Sequence, residues 1–284
     1  QGGYLDALAR GDAEAALSFS QQVPPDKTFL TDEILKKQAE KYPITNITIL
    51  GENTSAKGAT VQVRADFGGK TSDQEITLPK PADGDDWKLQ RGVASVDANI
   101  GNLTSKKLVE MVTIFGKPVP KTGKAYLFPG GWVDFGSTNP NVEIVNYKDE
   151  PPSLQEIWLG LSSSRPEYSI SEAGQKAIRD ALKSMADECA RSNQLEPPDC
   201  PPNDFKIPPS AVEGTAKWTA PTNFDDIDAD FLDQRTATVR LYGSTEWGGI
   251  TVQTDRGPYS TTTTAYVTGE ADISQDPPKI TLER

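Results

Sequence analysis

Ala59-Thr60-Val61-Gln62-Val63-Arg64-Ala65-Asp66-Phe67 alternates apolar and polar residues without a break. This is the period of a strand with one face buried and one face wet. Upstream, Ile44 to Leu50 reads as a first strand and Gly51 to Gly58 as a polar turn. Downstream, Ile76 and Leu78 keep the period, and Asp83-Gly84-Asp85 is expected to turn the chain into Trp87 and Leu89. The result is a meander of about four antiparallel strands with one face left for helices to cover.

Those helices precede it. Tyr4 to Arg10 and Ala13 to Phe19 read as a helix pair or a broken helix, with Gly11 suited to the left-handed position that ends the first piece and Asp12 suited to cap the second. Val23-Pro24-Pro25 stops the second piece. Thr31 caps a further helix that carries Asp32 and Glu33 in its first turn and Lys36, Lys37 and Lys41 toward its end, in the order that complements the helix dipole, until Pro43 closes it. Helices followed by antiparallel strands place residues 1–98 in the α+β class.

Val96 to Ser105 reads as a linker, so the remainder, residues 106–284, is expected to form a second α+β domain. Its first part, 106–150, alternates short strands with turn signals around Thr113 to Phe115, Lys124 to Phe128, Trp132 to Phe135 and Val142 to Tyr147. Tyr126, Trp132 and Phe135 have the chemistry of a carbohydrate-binding or partner-binding platform, although aromatics on strands are usually packed, and an ordinary core is the favoured reading. Ser153 to Leu161 is a short helix or strand in which Trp158 and Leu159 are expected to be buried. The rest of 151–284 is a helix followed by strands at Thr215 to Thr219, Thr236 to Tyr242, Gly249 to Thr254, Thr261 to Thr268 and Ile280 to Leu282, several of them threonine-rich and compatible with a wet face.

That helix is capped by Ser171, with Glu172 in its first turn. Ala173, Ala177, Ile178, Ala181, Leu182, Met185 and Cys189 make one apolar stripe along it. Leu195-Glu196-Pro197-Pro198-Asp199-Cys200-Pro201-Pro202 cannot continue a helix and returns as a stiff segment. Cys189 and Cys200 are the two cysteines of the chain and lack C-x-x-C spacing, so a disulfide is expected between them. The alternative is a pair of reduced cysteines, one of them a small apolar core residue.

The 284 residues carry a net charge of −12 and no histidine. The acidic balance argues against nucleic acid as a partner. Without histidine there is no Ser-His-Asp or Cys-His catalysis, no histidine metal site and no imidazole shuttle. An enzyme here would have to use carboxylates, lysine, tyrosine or hydroxyls, and no catalytic, cofactor-binding or metal-binding residue is assigned. No apolar run reaches eighteen residues, so any membrane connection would lie outside these residues. The start Gln1-Gly2-Gly3 is read as that of a mature or trimmed ectodomain.

The opening Tyr4-Leu5-Asp6-Ala7-Leu8-Ala9-Arg10-Gly11-Asp12-Ala13-Glu14-Ala15-Ala16-Leu17, with strands ending in Asp86-Trp87-Lys88-Leu89, resembles the NTF2-like (cystatin-like) domains of actinobacterial envelope proteins. The short phrases Phe115-Gly116-Lys117 and Leu127-Phe128-Pro129-Gly130 resemble small surface β-modules of bacterial envelope proteins. The run from Glu188 through Cys189 to Cys200-Pro201 resembles the helix-end cysteine pair in the C-terminal part of the same envelope proteins. The resemblance implies an extracytoplasmic, membrane-anchored ectodomain without demonstrated catalysis, an envelope protein or cell-wall component as partner, and a second, diverged NTF2-like unit in 151–284. It also allows a cone-shaped pocket in residues 1–98 that holds a small molecule or an active site.

Three further patterns carry local expectations. Asp226, Asp228 and Asp230, with Asp225 and Asp233 nearby, alternate like a calcium loop, yet Phe231 and Ala237 stand where glycine and a bidentate glutamate are required, which favours a solvated acidic loop. Asn46-Ile47-Thr48, Asn53-Thr54-Ser55 and Asn102-Leu103-Thr104 fit the N-glycosylation pattern, which matters only in a eukaryotic secretory host. Tyr259, Ser260 and Thr261 to Thr264 have the make-up of a hydroxyl-rich saccharide face, or of a half-exposed edge strand.

Overall fold

The structure, a computed structural model, describes residues 3–82, 86–99, 103–147, 149–198, 200 and 206–283. The expected turn Asp83-Gly84-Asp85, Asn102 of the third glycosylation pattern, and Asp199, Pro201 and Pro202 of the proline return lie outside the described residues. Two compact units result, Gln1–Thr138 with Ile144–Glu167, and Asn139–Glu143 with Tyr168–Arg284. Both mix helices with antiparallel sheet, so the α+β class holds.

The chain opens with α1 (Gly3–Arg10), α2 (Ala13–Ser18), β1 (Ser20–Gln22) and α3 (Asp32–Lys41), followed by the meander β2 (Ile44–Ser55), β3 (Gly58–Phe67) and β4 (Lys70–Pro79). The caps are as the sequence requires. Gly11 has φ +69°, Asp12 Oδ1 accepts from Ala15 N at 2.9 Å, and Thr31 Oγ1 accepts from Ile34 N at 3.4 Å. Strand β3 lies between β2 and β4. Its alternation buries Ala59, Val61, Val63, Ala65 and Phe67, the last four in a core shared with Tyr4, Leu5, Leu8 and Leu35 of the helices.

Three expectations change here. The turn expected over 51–58 is confined to Ala56-Lys57: β2 runs on to Ser55, because the β2–β3 ladder absorbs irregularities between Thr45 and Thr48 and between Ile49 and Gly51 and keeps its cross-strand bonds. The meander has three strands, since β5 (Leu89–Arg91) pairs in parallel with β1, the Leu89 amide donating to Phe19 O at 2.8 Å. The expected linker begins inside a strand: Val96 and Asp97 are the last two residues of β6 (Ala94–Asp97), which pairs with a strand beyond position 106.

That strand belongs to the run α4 (Lys106–Val109), β7 (Val112–Ile114), β8 (Lys117–Pro118), β9 (Lys124–Leu127), β10 (Phe135–Ser137), β11 (Val142–Asn146), α5 (Leu154–Leu159) and β12 (Pro166–Ile170). Besides the β6–β9 ladder, Phe128, Leu154 and Ile157 complete the first core, so compactness does not divide the chain at 98/106. Helix α5 closes a capping box between Ser153 and Glu156 and ends at left-handed Gly160. It turns Leu154 and Ile157 inward, leaves Trp158 half-buried against the core and exposes Leu159, contrary to the expected burial of the last, because the helical period carries it off the inner face.

The second unit is built on α6 (Glu172–Ala190) and a sheet of β13 (Lys217–Thr219), β14 (Ile227–Asp228), β15 (Leu232–Asp233), β16 (Thr238–Thr254), β17 (Gly257–Asp272) and β18 (Lys279–Leu282). The order is β13-β16-β17-β18, with β14 and β15 also paired to β16. Ser171 caps α6 as expected, accepting from Gly174 N at 2.9 Å. The buried line on α6 is Gly174, Ile178, Leu182, Ala186 and Cys189. The expected stripe is thus rotated: Ala173 is exposed and Ala177, Ala181 and Met185 sit on its flank. Gly174 is the reason, since a Cβ there would stand 2.3 Å from Asn141 O, and the helix turns its smallest residue toward that close approach. The break expected between Tyr242 and Gly249 does not occur either: β16 passes through Gly243, Gly248 and Gly249 with a bulge between Trp247 and Ile250.

Candidate functional site

In the β16–β17 hairpin, Val239, Leu241, Ile250 and Val252 of one strand and Ala265, Val267 and Ala271 of the other are buried. The intervening residues point away from that core. The rungs of this outward face are Tyr242 opposite Thr268, Ser244 opposite Tyr266, and Glu246 opposite Thr264. Tyr242 and Tyr266 are therefore diagonal neighbours, and they are 65% and 62% exposed. Large amphipathic rings so open to solvent are not held there by packing.

Beside them the edge of β16 opens into a groove of about 840 Å³. β13 pairs with β16 through Thr219 and Gly249, and β14 pairs through Ile227 and Gly243, so residues 220–226 leave the ladder and form a wall. That wall is anchored by the buried side chains of Phe224 and Ile227 and by Thr245, whose hydroxyl donates to Asn223 O at 2.6 Å. Glycine marks both ends of the gap. A Cβ on Gly243 would lie 2.2 Å from Asp226 O, and one on Gly248 would lie 2.6 Å from Thr219 Cγ2. The groove is lined by hydroxyls, among them Thr219, Thr222, Thr262 and Thr264, and by the carboxylates of Asp226 and Glu246.

The sequence singled out part of this surface and divided it wrongly. Alternation puts Ser260, Thr262 and Thr264 on the outward face, while Tyr259 and Thr261 fall at core-side register positions opposite Val252 and Ile250. Tyr242, Tyr266 and Glu246 were missed, because a strand broken after Tyr242 conceals that both tyrosines share one face. A strict count of two from Val239 through Glu246 carries that signal.

The other sequence candidates lie elsewhere. Phe135 is buried, Trp132 packs edge-on against Phe115 with ring centroids 5.7 Å apart, and Tyr126 packs against the first core, so these three serve the interior. Among the acidic residues, Asp228 and Asp233 lie on β14 and β15, Asp230 accepts from Gln175 Nε2 at 2.9 Å, and Asp226 faces the groove. No group of three or more potential metal-ligating side chains occurs among the described residues. Cys189 and Cys200 are bonded, with Cα atoms 5.8 Å apart. Asn46 Nδ2 donates to Asp66 at 2.6 Å, and Asn53 lies on the exposed strand β2.

The first unit holds a polar cluster without a sequence signal. Asp149 takes the Tyr42 hydroxyl at 2.6 Å and the Lys41 ammonium at 2.8 Å, and Lys41 also lies 5.4 Å from the Trp132 ring centre. Lys41 first, then Tyr42, hold the Asp149 carboxyl below the usual carboxylate range, while burial first, then Asp149, pushes the Tyr42 phenol up. A carboxyl whose pKa is lowered on folding contributes stability above its unfolded value near pH 4, and that contribution is lost as pH falls through the folded value. We therefore expect the urea midpoint of Asp149→Asn to fall less than that of the parent protein between about pH 5 and pH 2.5. Parallel acid limbs would show that the cluster does not contribute.

In this unit the cavity between Leu8, Leu35, Phe67 and Phe128 is about 20 Å³, room for about one water, and a separate groove of about 320 Å³ lies between Pro24, Arg91, Val93 and Tyr126. No helix among the described residues is long and apolar enough to cross a membrane, and the disulfide fits an oxidising, extracytoplasmic environment. Comparison of the chain with protein-family models, curated proteins and solved structures finds no match in any of the three.

Proposed function

We propose that this chain is a non-enzymatic, extracytoplasmic binding module of a bacterial cell envelope, contacting an envelope component through the outward face of the β16–β17 hairpin. The observation that carries this reading is the pair of exposed tyrosines, Tyr242 and Tyr266, set beside a walled polar groove. The disulfide supports the compartment. An NTF2-like architecture for the first unit, and a diverged one for the second, belong to the same reading; helices packed against an antiparallel sheet support them. The competing reading, a small-molecule or catalytic pocket in the first unit, is disfavoured because the cavity between its helices and sheet is about 20 Å³ and its groove of about 320 Å³, beside Arg91 and Tyr126, has no carboxylate in its lining among the described residues.

Co-sedimentation of the intact protein with purified bacterial cell-wall sacculi tests the proposal. Saturable binding is expected, weakened when Tyr242 and Tyr266 are both changed to alanine. Protein that stays in the supernatant at every sacculus concentration would overturn it.

A further inference from the structure

The chemistry of the groove narrows the ligand. Its lining includes two carboxylates, Asp226 and Glu246, and no lysine or arginine among the described residues. Arg240, an outward cation on β16, stands opposite Glu270. With a chain net charge of −12 as background, a phosphate, sulfate or uronate polymer meets repulsion here. An apolar ligand would take the carboxylates of Asp226 and Glu246 out of water and offer them no donor in exchange. The surface offers instead two flat aromatic faces, stiff threonine hydroxyls and carboxylate acceptors in one strip.

That combination matches a pyranose chain. Sugar rings present C–H faces that stack on exposed aromatic side chains, and their equatorial hydroxyls donate in the ring plane to carboxylates and exchange hydrogen bonds with hydroxyls. The register places these functions in sequence along the strands: Tyr242 beside Thr268, then Tyr266 beside Ser244, then Glu246 beside Thr264, and then Thr262 next to the bulge. Threonine on a strand has little rotamer freedom to lose, so the hydroxyl wall is largely ordered before binding. The wall itself is held by Thr245 on Asn223, independently of any ligand.

We infer that the groove and the adjoining tyrosines of the second unit form a binding site for an uncharged pyranose glycan, with rings stacked on Tyr242 and Tyr266 and hydroxyls held by Glu246, Asp226 and the threonine wall. The inference rests on the binding-module reading above and specifies its ligand class.

The test is calorimetric titration of the full chain with four probes: cellotetraose, the N-acetylglucosamine tetramer, the glucosamine tetramer and tetragalacturonate. At least one of the two uncharged tetramers is expected to bind, and tetragalacturonate is not. Tyr242→Ala and Tyr266→Ala, both at exposed positions, are each expected to weaken that binding about tenfold. Glu246→Gln, which keeps the shape and removes the charge, is expected to weaken it by a similar factor. Circular dichroism confirms that each variant is folded. Binding of the cationic tetramer alone would overturn the inference in favour of simple charge attraction, as would binding that all three variants leave unchanged. If no tetramer binds while the protein still sediments with sacculi, the glycan inference fails and the binding-module reading stands. If sedimentation is lost as well, both fail.

Discussion

Phe67→Ala is expected to lower the unfolding free energy of the first unit by about 3–5 kcal/mol. Phe67 is the last residue of β3, fully buried, opposite Ile44 on β2 and Lys70 on β4. Its ring borders the small cavity that Leu8, Leu35 and Phe128 also line. Truncation removes the transfer energy of an aromatic ring and also enlarges a void that elements on three sides cannot close, since α1, α3 and the segment around Phe128 are tied into the same core. Urea unfolding followed by near-UV circular dichroism measures the change. A loss below about 1 kcal/mol would mean that the site collapses freely and that the interior is looser than its small cavity suggests.

Reduction of the Cys189–Cys200 bond is expected to cost the second unit about 3 kcal/mol, through the unfolded state. The bond closes a loop with a sequence separation of 11. In the folded state the same loop is held by other bonds: Ala216 N to Asn193 O at 3.0 Å, Leu195 N to Glu213 Oε1 at 3.2 Å, and Trp218 Nε1 to Gln194 O at 2.9 Å. Breaking the sulfur link therefore frees the denatured chain more than the native one. Trp218 fluorescence without denaturant is expected to stay the same on reduction, while its urea midpoint falls. Cys200→Ser should match the reduced protein. Cys189→Ala should be lower still, because Cys189 also ends the buried line of α6 and loses packing. An unchanged midpoint on reduction would remove the clasp from the stability of this unit.

How much could be read in advance depended on distance along the chain. The caps at Asp12, Thr31 and Ser171 and the alternation of β3 were legible, because each depends on residues within a turn or on a period of two. The partner of β5 was not. Pairing Leu89 with Ser20 joins segments far apart in sequence, and nothing local distinguishes that partner from β4. The same holds for Phe128, Leu154 and Ile157, which complete a core begun by residues before position 98.

The candidate site divides along the same line. Composition excluded histidine chemistry and disfavoured nucleic acid, and the two cysteines indicated their own pairing, since these are properties of residue types and of a short loop. Tyr242 and Tyr266 become a shared surface only through a bulge at Gly248-Gly249 that keeps one long hairpin in register. The groove beside them exists because β14 pairs with β16 up to Gly243 and β13 from Gly249, which leaves the stretch between them open. Turn chemistry, caps and periodicity are local energies that a sequence carries openly. Strand partners and cavities are set by which distant apolar surfaces bury each other best, and that competition is resolved only in the folded chain.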